Sequence, residues 1–168
     1  DFHFYPGVSY RHLFVWTDAP GEFTLTPPHD ITGKPVKEYL GANENGQVLI
    51  DMMKKSYELL KDHPVNLKRV AEGKRPGNSV WFWSAGVKPA LKSFGERFGV
   101  KASVVCAVDL IKGIGICAGM DVIDVEGATG NYRTNYTGKA NAAINAFENG
   151  CDLVYVHVEA PDECGHRG

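Results

Sequence analysis

Residues 102–108 have the sequence ASVVCAV, an apolar run that only one serine interrupts. A short run of this kind, bounded by polar residues, is typical of a strand that is buried on both faces of a parallel sheet. Ala102–Val108 is therefore predicted to be a central strand, and the rest of the fold is worked out from it.

Strands and helices alternate on both sides of this run. The Tyr136–Glu148 segment, for example, has apolar residues at i, i+3, i+4 and i+7, which is the pattern of an amphipathic helix. The predicted elements are strand Ser79–Trp83, helix Lys88–Phe98, strand Ala102–Val108, a short helix from Asp109 toward Met120, strand Asp121–Val125, helix Tyr136–Glu148 and strand Asp152–Val158. This alternation predicts an α/β fold, a layered αβα module with a mixed, largely parallel sheet.

The first 78 residues have a different texture. They contain one aromatic and β-branched strand, Ser9–Trp16, and one clear helix, Gln47–Lys61. The segments 20–45 and 63–78 are polar and rich in proline and glycine, so both are predicted to be loops. The change at Ser79 predicts two domains, residues 1–78 and residues 79–168.

Composition narrows the class of protein. With 43% apolar and 23% charged residues the chain has the usage of a globular protein, and its net charge of −2 argues against a nucleic-acid partner. The longest stretch without Asp, Glu, Lys or Arg has only the twelve residues 76–87, too few to cross a membrane. The four cysteines have no metal-site or disulfide spacing, which indicates free thiols in a reducing cytoplasm.

The ends of the chain also carry an expectation. The sequence begins at Asp1 rather than at a methionine and stops directly after its most polar motif. We expect this chain to be an internal piece of a longer protein, with the rest of that protein as its partner.

The polar motif follows the last predicted strand, where open α/β sheets place ligand sites. It reads HVEAPDECGH over residues 157–166, and Asp162 and His166 lie four residues apart. One helical turn would direct a carboxylate and an imidazole to one point, and this pair suits Mn²⁺ or Zn²⁺. The alternative is an exposed polar loop in which the two residues are incidental.

Cations in loops rich in glycine and proline are candidate anion ligands, because guanidinium and ammonium groups match phosphate and carboxylate. The alternative for each of them is a solvated surface residue. Arg11 and His12 are distinctive because they interrupt an apolar strand. The five candidates for substrate binding are Arg11, His12, Arg69, Arg75 and Lys139.

Six segments together resemble one family. They are FYPGVSYRHLFVW (4–16), LTPPHDITGKP (25–35), HPVNLKRVAEGKRPGNSVWFWSAG (63–86), SVVCAVDLIKGIG (103–115), VEGATGNYRTNYTGKA (125–140) and VYVHVEAPDECGHRG (154–168). In this order they are similar to the archaeal-type, cofactor-independent phosphoglycerate mutases of the alkaline phosphatase superfamily.

The resemblance implies a cytoplasmic glycolytic isomerase with two divalent metal ions, manganese or zinc, and a serine nucleophile. The serine would take the phosphoryl group of 3-phosphoglycerate and return it to the adjacent oxygen, giving 2-phosphoglycerate. Asp162 and His166 match the family's metal ligands, and Arg11 and His12 match substrate-binding positions better than Arg69 and Arg75 do. The serine and the remaining ligands have no match here, so the chain alone is expected to hold no metal and to be inactive.

The resemblance also implies what the two predicted domains are. Residues 1–78 would be part of an inserted domain that binds phosphoglycerate, and residues 79–168 a returning segment of the phosphatase-like core. Two alternatives stay open at this point: a homoserine kinase-like phosphotransferase of the same superfamily, and a non-catalytic module that binds small anions.

Overall fold

The computed structural model describes residues 1–8, 11–41 and 43–167, and at residues 166 and 167 it describes the backbone only. The chain forms two compact units. The first unit contains Asp1–Phe2 and Val15–Val87, and the second contains His3–Phe14 and the chain from Lys88 onward. The functional identities predicted for residues 1–78 and 79–168 stay predictions.

The first unit is built on two helices, α1 (Gln47–Leu60) and α2 (Pro64–Ala71), with three short 3₁₀ turns before them. Its buried apolar side chains come from α1 and from the irregular segments on either side of it. They are Ile31, Leu49, Ile50, Met53 and Phe82. In α1 the buried face consists of Leu49, Ile50 and Met53, whereas Leu59, near the end of the helix, is 77% exposed.

Two strands, β1 (Phe2–Pro6) and β2 (His12–Trp16), form a separate two-stranded sheet. The ring of Phe2 contacts that of Trp16 at 5.1 Å, and Phe4 contacts Phe14 at 4.8 Å. Residue numbers rise along one strand as they fall along the other, as in an antiparallel hairpin.

The second unit contains a three-stranded sheet with β3 at its centre. Strand β3 (Ala102–Val105) pairs in parallel with β4 (Asp121–Ile123) on one side and with β5 (Leu153–Val156) on the other. All four residues of β3 are buried. The predicted α/β fold with a largely parallel sheet is confirmed, and Ala102–Val105 is its central strand.

Helices connect these strands. The second unit also contains α3 (Phe94–Phe98), α4 (Asp109–Cys117), α5 (Tyr136–Glu148) and α6 (Ala160–Arg167). Helix α4 joins β3 to β4 and packs on both, whereas α5 leads from β4 to the far side of the sheet and packs on β3 and β5. Because parallel crossovers are right-handed, two crossovers in opposite directions place α4 and α5 on opposite faces.

The structure differs from the sequence prediction in several elements. Strand β1 was not predicted, and the strand predicted over Ser9–Trp16 is observed as β2, His12–Trp16. Residues 79–83 form no strand, because the indole of Trp81 donates to the carbonyl of Thr26 and the Val80 amide donates to the Ser56 hydroxyl. The helix predicted over 88–98 begins only at Phe94, where Ser93 and Glu96 form a capping box. The loop predicted over 63–78 contains α2.

The described part of the chain has no helix that is both long enough and apolar enough to span a membrane.

Candidate functional site

The strand order of the second unit creates a switch point between β3 and β5. The chain leaves β3 for β4 on one side and returns through α5 to β5 on the other. Ligands of open parallel sheets bind at the carboxyl ends of the strands at such a point. Polar and titratable residues gather at this edge: Cys106, Asp109, Lys112, Asp124, Lys139, His157 and Glu159.

Lys139 reaches this edge from the first turn of α5. It is 2% exposed, and its ammonium donates to the main-chain carbonyl of His157 at 2.9 Å. The His157 amide donates to the Val105 carbonyl at 2.9 Å. The His157 amide is therefore held by β3, and the His157 carbonyl is held by Lys139 of α5.

His157 and Glu159 form a close pair in the turn between β5 and α6. The His157 Nδ1 atom lies 3.7 Å from Glu159 Oε2, and these side chains are 23% and 14% exposed. Both atoms are buried and have no hydrogen-bond partner among the described residues. Buried polar groups in proteins are normally hydrogen-bonded, so this pair is an unusual feature of the turn.

A second ion pair lies at the ends of β3 and β4. The ammonium of Lys112 donates to the Asp124 carboxylate at 2.5 Å, and this carboxylate raises the pKa of Lys112. Burial raises the pKa of the Cys106 thiol, although the charges of Lys112 and Lys139 act in the opposite direction. Cys106 is consequently a protonated core thiol, as its sequence context predicts.

Arg11 directly precedes β2, and His12 is the first residue of that strand. The Gly7 amide donates to Nδ1 of His12 at 3.2 Å, so a neutral imidazole here carries its proton on Nε2. A Cβ atom on Gly7 would overlap the Arg11 carbonyl oxygen and would lie 3.5 Å from Asp109 Oδ2. The hairpin turn therefore lies beside Asp109 at the carboxyl edge of the sheet, and only glycine fits there.

Arg69 and Arg75 belong to the first unit. The Arg69 Nε group donates to the Arg75 carbonyl at 2.9 Å, just beyond the end of α2. These two residues are brought together, whereas Arg11, His12 and Lys139 lie in the second unit. Substrate binding by any of the five stays a prediction.

Asp162 lies in the first turn of α6, and its amide donates to the Glu159 carbonyl at 3.1 Å. His166 follows one turn later on the same helix, but its side chain lies outside the described part of the structure. Among the described residues, no three His, Cys, Asp or Glu side chains are arranged to hold a metal ion. Metal ligation by Asp162 and His166 therefore stays a prediction.

Comparison with known proteins shows which proteins this chain is similar to. A family model described as 2,3-bisphosphoglycerate-independent phosphoglycerate mutase matches residues 1–66. Proteins of that name from Methanosarcina barkeri and Methanosarcina acetivorans are 55% and 54% identical to this chain over 166 residues, 98% of its length. Over nearly its whole length, this chain is similar to a part of these mutases.

A solved structure agrees with the sequence match. The structure titled cofactor-independent phosphoglycerate mutase from Thermoplasma acidophilum is 29% identical, has a TM-score of 0.56 and covers 94% of this chain. The chain spans 43% of that protein and 42% of each Methanosarcina relative. It is thus similar to a part of these mutases, as the sequence predicts.

Two features of the candidate site were not predicted from the sequence. One is Asp124, whose signal was its position directly after a short apolar strand, at the edge where ligands bind. The other is the burial of Lys139. Its signal was the helical spacing of Lys139 with Ala142, Ala143 and Ala146, three small residues that are half-buried in the helix that packs on β3 and β5.

Proposed function

We propose that the full-length parent is a metal-dependent phosphoglycerate mutase that interconverts 3-phosphoglycerate and 2-phosphoglycerate through a phosphoserine. The observation that carries this proposal is the match of more than 50% identity, over 98% of the chain, to proteins named as such mutases. The nucleophilic serine lies outside this chain. The proposal includes a place in glycolysis, a cytoplasmic location and membership of the alkaline phosphatase superfamily.

The substrate is a small phosphorylated three-carbon acid. In the first step a base takes the proton of the serine hydroxyl, the serine oxygen bonds to phosphorus, the bond from phosphorus to the C3 oxygen breaks, and the C3 oxygen takes up a proton. In the second step the C2 oxygen bonds to phosphorus, the serine–phosphorus bond breaks, and the proton of the C2 hydroxyl is released to a base. The group that moves is dianionic throughout, so the site needs fixed positive charge and hydrogen-bond donors.

Asp162 and His166 would hold one of two divalent metal ions, manganese or zinc. Their donor set, a carboxylate and an imidazole one helical turn apart, fits such an ion but is incomplete, because a stable site needs three or four protein ligands. When bound, the ions supply positive charge to the phosphoryl oxygens. The missing ligands must come from the rest of the parent.

Arg11 and His12 are the proposed ligands of the substrate in the second unit. The tautomer of His12 that the Gly7 amide favours directs an N–H donor away from the hairpin turn. Such a donor, together with the Arg11 guanidinium, suits phosphate or carboxylate oxygens. Arg69 and Arg75 are proposed as further anion ligands from the first unit, where the Arg75 carbonyl already holds the Arg69 guanidinium.

A coupled enolase assay on the full-length parent tests this function. We expect 2-phosphoglycerate to form from 3-phosphoglycerate, to stop forming after chelation and to form again when Mn²⁺ is added. The 168-residue chain alone should show no activity. The mutase names of the Methanosarcina relatives favour this outcome over the homoserine kinase alternative.

Two results would contradict the proposal. One is an ATP-dependent phosphorylated product from homoserine with no mutase activity. The other is binding of phosphoglycerate without turnover by the metal-loaded parent, which would indicate an anion-binding module.

A further inference from the structure

Lys139 occupies a position that is unfavourable for a cation in three ways. Its side chain is 2% exposed, so the ammonium has lost most of its hydration. It lies in the first turn of α5, where the helix dipole is positive and where this helix has no acidic residue. An ammonium has three donors, yet in the described part of the chain Lys139 makes one hydrogen bond, to the His157 carbonyl.

No carboxylate among the described residues lies within ion-pair distance of this ammonium. A buried charge without a partner costs stability, and an apolar residue of similar size would pack there at least as well. Residues that lower stability in this way are found mostly at functional sites. We therefore look for the role of Lys139 in its one hydrogen bond among the described residues, the bond to the His157 carbonyl.

That contact controls the turn that leads into α6. The turn consists of residues 157–159, and its first residue is held through the amide by β3 and through the carbonyl by Lys139. Its last residue, Glu159, accepts the first two hydrogen bonds of α6, from the amides of Asp162 and Glu163. A shift of the His157 carbonyl would thus be transmitted to the first turn of α6.

We propose that Lys139 is a positioning residue. Through the His157 carbonyl its ammonium fixes the β5–α6 turn, and the turn in turn directs the Asp162 carboxylate toward a divalent cation. This inference rests on the proposed function, because that function assigns the cation to Asp162. Groups that orient metal ligands affect affinity strongly, and their loss typically weakens metal binding by about 10- to 100-fold.

A purely structural lysine would behave differently. If Lys139 served only the fold, its removal would lower the resistance of the protein to urea. In a positioning role, Lys139→Met removes a buried charge but also leaves the His157 carbonyl without its donor. Because these two effects on stability oppose each other, the unfolding midpoint should stay close to that of the wild type.

The experiment measures Mn²⁺ affinity by calorimetry on the metal-free, full-length parent, together with its urea midpoint. Four variants are compared with the wild type: Lys139→Met, Lys139→Gln, Asp162→Asn and the control Lys92→Met, which removes an exposed lysine of the same unit. Lys139→Met should weaken Mn²⁺ binding at least tenfold without a lower urea midpoint. Lys139→Gln, which keeps an amide donor for the His157 carbonyl, should lose less affinity, and Lys92→Met none.

Three outcomes would overturn the inference. One is Lys139→Met with wild-type Mn²⁺ affinity. The second is a loss of Mn²⁺ affinity in the control Lys92→Met that is as large as the loss in Lys139→Met. The third is failure of Lys139→Met to fold, because the inference requires a fold that does not depend on the ammonium. Asp162→Asn separates this inference from the proposed function: if it leaves Mn²⁺ affinity unchanged, the assigned metal site itself is wrong.

Discussion

Asn66 joins three backbone segments of the first unit and is only 5% exposed. Its amide nitrogen donates to the carbonyls of Leu60 at 2.7 Å and Gly77 at 3.0 Å, and its amide oxygen accepts from the Gly77 amide at 2.9 Å. The Leu60 carbonyl belongs to the last residue of α1, and it also accepts from the His63 amide at 3.1 Å. The Asn66 side chain therefore helps to cap α1 and fixes the irregular segment around Gly77.

Replacing this asparagine by aspartate keeps the size of the side chain but removes both donated hydrogen bonds. Asn66→Asp should cost about 2–4 kcal/mol at pH 7, because a carboxylate would face two carbonyl oxygens. The cost should shrink as the pH falls, since a protonated carboxyl can donate again. Urea unfolding of this chain at pH 7 and pH 4 measures both effects, with the exposed Asn141→Asp as control. A loss below 0.5 kcal/mol, roughly the size of an ordinary surface effect, would contradict the argument.

The Lys112–Asp124 pair predicts a pH dependence with a definite sign. The carboxylate raises the pKa of Lys112, so the pair stabilises the fold at and below the ordinary lysine pKa of about 10.4. That contribution disappears as the pH rises through the higher folded-state pKa. Because Asp124 is 80% exposed, solvent screens the pair, and Asp124→Asn should cost at most about 1 kcal/mol at pH 8.

The difference between wild type and Asp124→Asn should be smaller at pH 11 than at pH 8, because Lys112 loses its charge as the pH rises through its raised pKa, and it should shrink in 1 M salt. Paired urea titrations at pH 8 and pH 11 are the measurement. A difference that grew with pH would show that Asp124 acts through something other than the charge of Lys112.

Among the helices and strands, α4 offers a matched pair of glycines. A Cβ atom on Gly115 would lie 2.6 Å from Cγ1 of Val104, whereas one on Gly113 meets nothing within 4 Å. Val104 is 1% exposed in the central strand, and its branched side chain has little freedom to move. Gly115 is therefore required for α4 to approach the sheet, and Gly113 is not.

We expect Gly115→Ala to destabilise this chain by about 1–3 kcal/mol, because it overpacks a core contact. Gly113→Ala should instead stabilise it by up to about 1 kcal/mol, since alanine is the better helix former. The measurement is the urea unfolding midpoint of each variant, compared with that of the wild type. Equal shifts in the same direction would show that helix propensity, rather than contact with Val104, governs both positions.

Sequence patterns predicted the positions of two main elements of the second unit. The apolar run of residues 102–108 predicted β3, whose four residues are buried. The pattern of residues 136–148 predicted the limits of α5, although Ile144 and Phe147 of its apolar face are 54% and 51% exposed. Residues 79–83 were misjudged because the Ser56 hydroxyl accepts from the Val80 amide and the Trp81 indole donates to the Thr26 carbonyl, and sequence patterns show only local partners. Helix α2 was missed although His63 and Pro64 form a recognisable start, with a side-chain cap and proline at the first position.

The sequence predicted where in the fold the candidate site lies, but not which side chains are buried there or which segments meet. A polar motif after an apolar strand indicates the carboxyl edge of a sheet, which is where His157 and Glu159 lie. The burial of Lys139 depends on how α5 approaches β5, and one helix's own pattern does not specify that approach. The proximity of the hairpin turn to Asp109 joins residues about one hundred positions apart, which no local pattern encodes.

For the whole molecule, the division of a metal site between this chain and the rest of the parent predicts weak binding. Two ligands on one helix leave the other coordination positions to water, so the 168-residue chain should bind Mn²⁺ or Zn²⁺ more weakly than micromolar. Calorimetry on this chain, with Asp162→Asn as control, measures this affinity. Micromolar binding that the substitution abolishes would show that α6 already holds a preorganised site.

The second unit is assembled from two stretches of chain, residues 3–14 and the residues from Lys88 onward, with the first unit between them in sequence. During synthesis at about 5–20 residues per second, the hairpin emerges several seconds before the parallel sheet that it accompanies. Because translation is vectorial, the helices α1 and α2 leave the ribosome before β3 does. The first unit is thus free to fold early, and the hairpin, with its exposed aromatic side chains Phe4 and Tyr5, has to wait for the second unit.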